Sequence, residues 1–302
     1  MAISKYLDPK NDIAFKKIFG TEKNKDILIH FLNDVLGFFE EDKIINIEFC
    51  CSLQIPDNKE QKTSIVDILC EDEKGIKYII EMQVLKHKGF EKRAQYYSAK
   101  SYSSQATVGD KYYNLKKVIF IGIANCVIFS NKTEYKSRHL TLDEKALTND
   151  LEDLKYTFIE LPKFNKNKEE ISSLEEKWYY FFKHAHETTE QDLQKIIGDD
   201  KIIGKAYTEL NKFHWTNEEL LAYEAMKRAE MDEIARRDQQ LDDAEERGIE
   251  KGIEKGIKKG REEGREEGRE EIAVNLLKEG FKIDTIVRLT GLSKDQIEKL
   301  RG

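Results

Sequence analysis

A chain of 302 residues, 36% charged and 39% hydrophobic, is long enough for one large or two smaller globular domains. Its net charge of −7 excludes a uniformly basic nucleic-acid coat while leaving room for a local basic face. No apolar run approaches the ~20 residues that cross a bilayer, so a cytoplasmic protein with no membrane partner is expected.

Asp8 and Pro9 open the first element. Asn11 and Asp12 suit the N-cap and first turn of a helix that turns Ile13, Phe15, Ile18 and Phe19 inward and stops at Gly20. A second helix is expected from about Lys23 to Leu36, ended by Gly37. Residues 44–55 alternate well enough for a strand. Two strands near 64–71 and 76–84 then form a hairpin about the turn Asp72-Glu73-Lys74-Gly75. Phe90 to about Thr107 reads as a helix. Val118 to Ala124 is a nearly unbroken apolar run, the pattern of a strand buried on both faces. Further strands are expected near 135–142 and 155–161. Strands flanked by helices, with one wholly apolar strand among them, predict a mixed α/β sheet covered on both sides.

The character changes after Pro162. Residues from about 169 to 246 carry helical periodicity with aromatic anchors such as Trp178, Phe182, Tyr207 and Trp215. A tract of four-residue period follows, with Gly248, Gly252, Gly256, Gly260, Gly264 and Gly268 separated by mixed charges. Each glycine costs a helix about 1 kcal/mol relative to alanine, and opposite charges at helical spacing return only a few tenths. The tract is either a helix that pairs with a second copy or a solvated linker. A short helix from Ile272 to the stop at Gly280, a second over Ile283–Leu289 and a third capped by Ser293 have the shape of a helix-turn-helix unit. Few residues of the third helix suit base reading, so packing and DNA contact are both open to it. The expected divisions are residues 1–165, 166–240, 241–271 and 272–302.

The four cysteines, Cys50, Cys51, Cys70 and Cys126, lack metal-ligand spacing. All fall in expected strands, as reduced and buried thiols. The acids in the hairpin are different. Asp67 interrupts an Ile/Val/Leu run, and Glu81 and Gln83 end the next one on a shared face. Charges in such surroundings cost several kcal/mol unless paired or bound to a metal. Pairing across the turn brings Asp67 near Ile80 or Glu81, and Asp12 is the natural third acid, equally suited to be a first-turn residue. Oxygen ligands of this kind suit Mg²⁺ or Mn²⁺, which points to phosphodiester chemistry.

Asp67 followed by Glu81-Met82-Gln83 resembles the D…ExK signature of the PD-(D/E)XK nuclease superfamily, with Gln in place of Lys. The wider pattern resembles the Rpn family of recombination-promoting, transposase-like nucleases. It includes Asp8-Pro9-Lys10-Asn11-Asp12 with Phe15, Lys16 and Phe19, then Arg93 to Tyr97 through Tyr102 and Gln105, then Tyr113, Leu115 and Val118, and finally Glu160 to Phe164. It covers about residues 3–165 well and the tail more loosely. The resemblance implies a restriction-endonuclease-like core and a Mg²⁺-dependent DNA endonuclease of little sequence preference, in recombination, mobile-element activity or defence. Asp67 and Glu81 would be metal ligands, with Asp12 direct or through water. Gln83 can orient a water but supplies no positive charge; Lys86, Lys88 or Arg93 are placed to supply it. Arg93, Tyr97 and Gln105 line either a DNA-facing helix or a cover helix that uses tyrosine as core. Self-association through the tail would set two active sites against two strands. A binding or interaction protein that keeps the fold without efficient chemistry is the alternative.

Overall fold

Asp72 makes the hairpin. Its Oδ1 accepts from the backbone N–H of Lys74 and of Ile76, both at 2.9 Å, and Gly75 takes the left-handed φ of 80° that closes the turn. The computed structural model describes residues 4–54, 64–109 and 111–301. Ile3, Ile55 and Gly302, each at the limit of an expected segment, lie outside them.

Helix α1 (Asp12–Phe19) starts at Asn11, whose side chain accepts from Ile13 N–H at 3.0 Å. A 3-10 turn over Glu22–Asn24 precedes α2 (Lys25–Leu36), so the second helix begins slightly later than expected. There follow β1 (Ile47–Phe49), β2 (Leu53–Gln54), β3 (Ser64–Ile65), β4 (Ile68–Asp72), β5 (Lys77–Gln83), α3 (Phe90–Ser103), β6 (Val118–Ala124), β7 (Lys136–Thr141) and β8 (Leu151–Glu160). Six strands form one sheet in the order β1-β4-β5-β6-β8-β7, while β2 and β3 pair separately. The central ladders β5–β6 and β6–β8 are parallel, and the flanking ladders are antiparallel.

Two expected strands are each cut in two. The run 44–55 divides after Phe49, and the run 64–71 divides at Val66 and Asp67. At Asp67 the ladder is taken over by side chains: Asp67 N–H donates to Glu81 Oε1 and Met82 N–H to Asp67 Oδ2. Helix α3 ends at Ser103 rather than near Thr107 because Gln105 leaves it to grip a neighbouring segment. Its amide donates to the Lys116 carbonyl at 3.0 Å and accepts from Lys116 N–H at 2.9 Å. That contact makes Gln105 a structural residue at the far end of α3. Only Cys70 is a buried strand thiol; Cys50 and Cys126 are half-buried outside strands and Cys51 is exposed, all four uncrosslinked. Small side chains tolerate either setting, so the apolar runs around them misplaced three.

Every residue of β6 is buried, as the apolar run requires. Alternation sends Ile119, Ile121 and Ile123 to a core with Phe15, Phe19 and Phe31 of α1 and α2, and Val118 and Phe120 to a second core with Phe90 and Ala94 of α3. Helices α4 (Leu174–His184), α5 (Glu190–Ile197) and α6 (Lys201–Glu209) follow. Trp178, Phe181 and Phe182 of α4 join the first core, with Phe182 stacked on Phe19 at 5.4 Å between ring centroids. Aromatic pairs of this kind add about 0.5–1.5 kcal/mol each beyond their buried area.

Helix α7 runs unbroken over Asn217–Lys278, through all six repeat glycines, and absorbs the short helix expected from Ile272. The glycines weaken a helix without stopping it, and no proline intervenes. The chain falls into two compact units, Met1–Met231 and Asp232–Gly302. In the second, the end of α7 packs with α8 (Ile283–Thr290) and α9 (Lys294–Leu300) around Ala273, Ile286, Leu292 and Ile297. Ser293 and Gln296 form a reciprocal capping box at the start of α9.

Gly122 is a close-packed point of β6 beneath α3. A Cβ there would lie 3.1 Å from the rings of Phe90, Phe120 and Phe158 at once. Gly122→Ala is expected to destabilise the protein by about 1–3 kcal/mol, the usual cost of overpacking. Urea unfolding measures it; an unchanged midpoint would show that α3 is not seated by this contact.

Candidate active site

The acids meet where β4 and β5 part. Ile68 pairs with Ile80, so the next residues outward, Asp67 and Glu81, face each other. The two backbone-to-carboxylate bonds between these strands, 3.0 Å to Glu81 and 2.9 Å to Asp67, fix both side chains. Glu81 is 5% exposed and Asp67 is half-buried.

Two cations approach from helices on opposite faces of the sheet. Lys16 of α1 lies 2.8 Å from Asp12 Oδ1 and 3.8 Å from Asp67 Oδ1. Arg93 of α3 places Nη2 3.6 Å from Glu81 Oε2 and donates to Gln83 Oε1. The other end of the Gln83 amide donates to the Leu85 carbonyl. Gln83 is therefore tied at both ends, and its part in the site is to hold the guanidinium of Arg93 beside Glu81. Phe90 and Tyr97 carry that guanidinium on their rings, 4.9 and 5.9 Å from the centroids. Lys86 and Lys88, the other cations considered, are exposed on the loop after β5.

Burial, and then the neighbouring acid, raises the carboxyl of Glu81 well above its ordinary range. Burial likewise raises Asp67, against the bond from Met82 N–H and the charge of Lys16. Burial works to lower Lys16, but its bond to Asp12 and the charges of Asp12, Asp67 and Glu81 leave it raised. Tyr97 is raised by its burial and by Glu81. The residues thus form a connected set of three acids and two bases in which the two inner acids resist ionising together. Asp12 reaches Asp67 only through Lys16. Among the described residues no group of three or more His, Cys, Asp or Glu side chains is arranged to hold a metal ion.

The family described as PD-(D/E)XK nuclease family transposase matches residues 9–240. The chain belongs to that family. Residues 266–302 match the C-terminal HTH domain of the Rpn/YhgA-like nuclease family, which covers the three-helix unit ending in α9. No curated protein and no solved structure matches the chain. Among the described residues no helix is long and apolar enough to cross a membrane.

Lys16 and the tethering of Arg93 are the parts of the site that sequence reading missed. The spacing of Asp12 and Lys16, four apart on a helix, is the signal that was available for the first. For the second, a glutamine where the signature has lysine asks for a cation from elsewhere, and only the fold selects Arg93 from three candidates.

The raised Glu81 carboxyl gives a signed expectation. Between the ordinary carboxylate range and its raised value, the folded protein holds more protons than the unfolded chain, so stability falls as pH rises through that window. Glu81→Gln keeps the acceptor for Asp67 N–H and removes the charge. In chelator at about pH 8 it is expected to stabilise the protein by about 1–3 kcal/mol, the scale of an uncompensated buried group. The gain should shrink toward about pH 5, where Glu81 is protonated in the fold and the unfolded chain begins to take up the same proton. Urea melts at both pH values decide it; an equal gain at each would mean that charge is not the cause.

Proposed function

We propose that this member of the nuclease-transposase family is a metal-dependent DNA endonuclease of little sequence preference, acting in recombination, mobile-element activity or defence. The observation that carries the reading is the pair of half-buried Asp67 and buried Glu81, fixed by reciprocal backbone bonds, both raised by burial and Glu81 further by the charge of Asp67. Two carboxylates that resist ionising together are a hard-oxygen donor set that a divalent cation relieves, which fits Mg²⁺ or Mn²⁺. Asp67 and Glu81 would hold the ion, with Asp12 a ligand directly or through water. Bound there, it would supply Lewis-acid polarisation of the phosphodiester and a more acidic attacking water.

The chain's own residues do the rest. The guanidinium of Arg93 offers positive charge where a five-coordinate phosphate accumulates negative charge, and Gln83 holds it in place. Lys16 keeps Asp67 and Asp12 in register and offers a second cation at the same edge. The cytoplasm is the compartment proposed, and the tail is proposed to bring two copies together. Supporting the latter, Ile249, Ile253 and Ile257 are more than half exposed along α7.

Supercoiled plasmid with Mg²⁺ or Mn²⁺ tests the chemistry. Wild type is expected to nick and linearise it, and Asp67→Ala to lose cutting as completely as chelation does. Arg93→Ala should slow cutting by about 10²–10³-fold, the cost of one lost electrostatic stabiliser, with Arg93→Lys recovering part. Equal cutting by wild type and Asp67→Ala would sink the assignment. DNA bound but uncut by wild type would favour the non-catalytic alternative. For assembly, sedimentation should show a fall in oligomer number when residues 241–302 are removed; an unchanged number would release the tail from that role.

A further inference from the structure

A second feature of α3 lies outside the acid pair. The loop after β5 and the first turns of α3 form a groove of about 410 Å³ whose lining includes Lys88, Phe90, Lys92, Arg93, Tyr96 and Tyr97. Lys92, Tyr96 and Lys100 are successive residues at four-residue spacing and so share one stripe of the helix. Tyr97 and Phe90 pack toward the second core, but Tyr96 does not. Tyr96 is 44% exposed, its ring tilted against Tyr97 at 6.1 Å, with the Lys100 ammonium 6.0 Å from its centroid. Arg93 belongs to both places: its guanidinium lies on the rings of Phe90 and Tyr97 and reaches Glu81 at 3.6 Å.

We infer that this groove takes an unpaired nucleotide of the DNA being cut, so that the substrate class is duplex DNA containing a single-stranded stretch. The inference rests on the endonuclease reading above. An accessible aromatic face offers stacking to a base, and stacking is available only from a base that is out of the double helix. Lys88, Lys92 and Lys100 around the ring are the complement of the phosphates on either side of that base. A cleft in the roughly 300–1,000 Å³ range of small-ligand sites accommodates a nucleoside and not a duplex. The shared Arg93 sets the stacked nucleotide next to the acid pair, so the phosphate presented for cutting belongs to the unpaired strand. Bases differ little in stacking, which agrees with cutting of little sequence preference.

Fluorescence anisotropy with the full chain in chelator tests it without any cutting. The probes are a labelled oligo-dT, a fully paired duplex, and the same duplex with a central unpaired bubble. Tyr96→Ala should weaken binding of the oligo-dT and the bubble about 5- to 150-fold, the range for loss of one stacked base. Binding of the paired duplex should stay within about twofold, since the ring has no base to reach there. Tyr96→Phe should restore wild-type affinity. Equal affinity of wild type and Tyr96→Ala for oligo-dT, or an equal loss on the paired duplex, would overturn the proposal. Failure of the plasmid assay with a persisting Tyr96 effect would separate the two readings: the groove would stand and the nuclease would fall.

Discussion

One end of this sheet depends on one exchange of hydrogen bonds. Where β4 begins, Asp67 and Glu81 each accept a backbone N–H from the opposite strand, so side chains occupy the place of the next rung of the ladder. A rung made by carboxylates cannot be continued by backbone, and the chain before it therefore diverges into the separate β2–β3 pair. The same exchange brings two acids together at one end of the sheet, where burial raises both and the charge of Asp67 raises Glu81 further. Replacing either by a neutral apolar residue would leave a backbone donor without its partner. The local structure and the electrostatic tension that suits a divalent cation thus have one origin, and only an isosteric change such as Glu81→Gln separates them.

The layers around the sheet determine which cations answer that tension. Alternation along β5 directs Tyr78 and Ile80 to the α1 and α2 side and Ile79 to the α3 side. Glu81 and Gln83 follow Ile79, and so they meet Arg93, while Lys16 arrives from the other face through Asp67. Arg93 reaches Glu81 because α3 lies close on β6, and that closeness depends on the missing side chain of Gly122. A lysine at position 83 would place an ammonium at the site directly. Gln83 instead holds a guanidinium supplied by a helix, so the positive charge arrives through tertiary packing rather than from the strand itself.

Much of this was readable before any coordinates. The apolar run at Val118–Ala124 is buried throughout, and the turn at Asp72–Gly75 puts Asp67 opposite Glu81 as its length requires. Those features depend on period and turn chemistry, which act within a few residues. What was not legible depends on partners distant in the chain. The end of α3 is decided by Gln105 gripping Lys116, and the break in the first hairpin strand by a carboxylate from the next one. The environment of a cysteine depends on which segment covers it, so Cys50, Cys51 and Cys126 were misplaced while Cys70, inside the alternation, was not. Tyr96 and Tyr97 are the sharpest case: adjacent identical residues, one packed and one exposed, separated only by the 100° turn of a helix.

The tail poses the opposite problem, a regular element with little local reason to be stable. Six glycines within α7 together withhold about 6 kcal/mol relative to alanine, and pairs such as Lys259 with Glu263 at 3.4 Å return only a few tenths each. A Cβ added at any of these six glycines would meet nothing within 4 Å, so the absence of side chains there serves no contact within the chain. Absent side chains permit another backbone to come close, and a period of four rather than 3.6 makes the bare stripe wind slowly around the helix. Ile249, Ile253 and Ile257 follow the glycines by one residue and wind with them, each more than half exposed. Bare backbone bordered by exposed isoleucine is costly in a solitary helix and useful in a paired one. The composition of the tail fits the proposed association with a second copy, where close approach would recover as packing what the glycines forfeit as propensity.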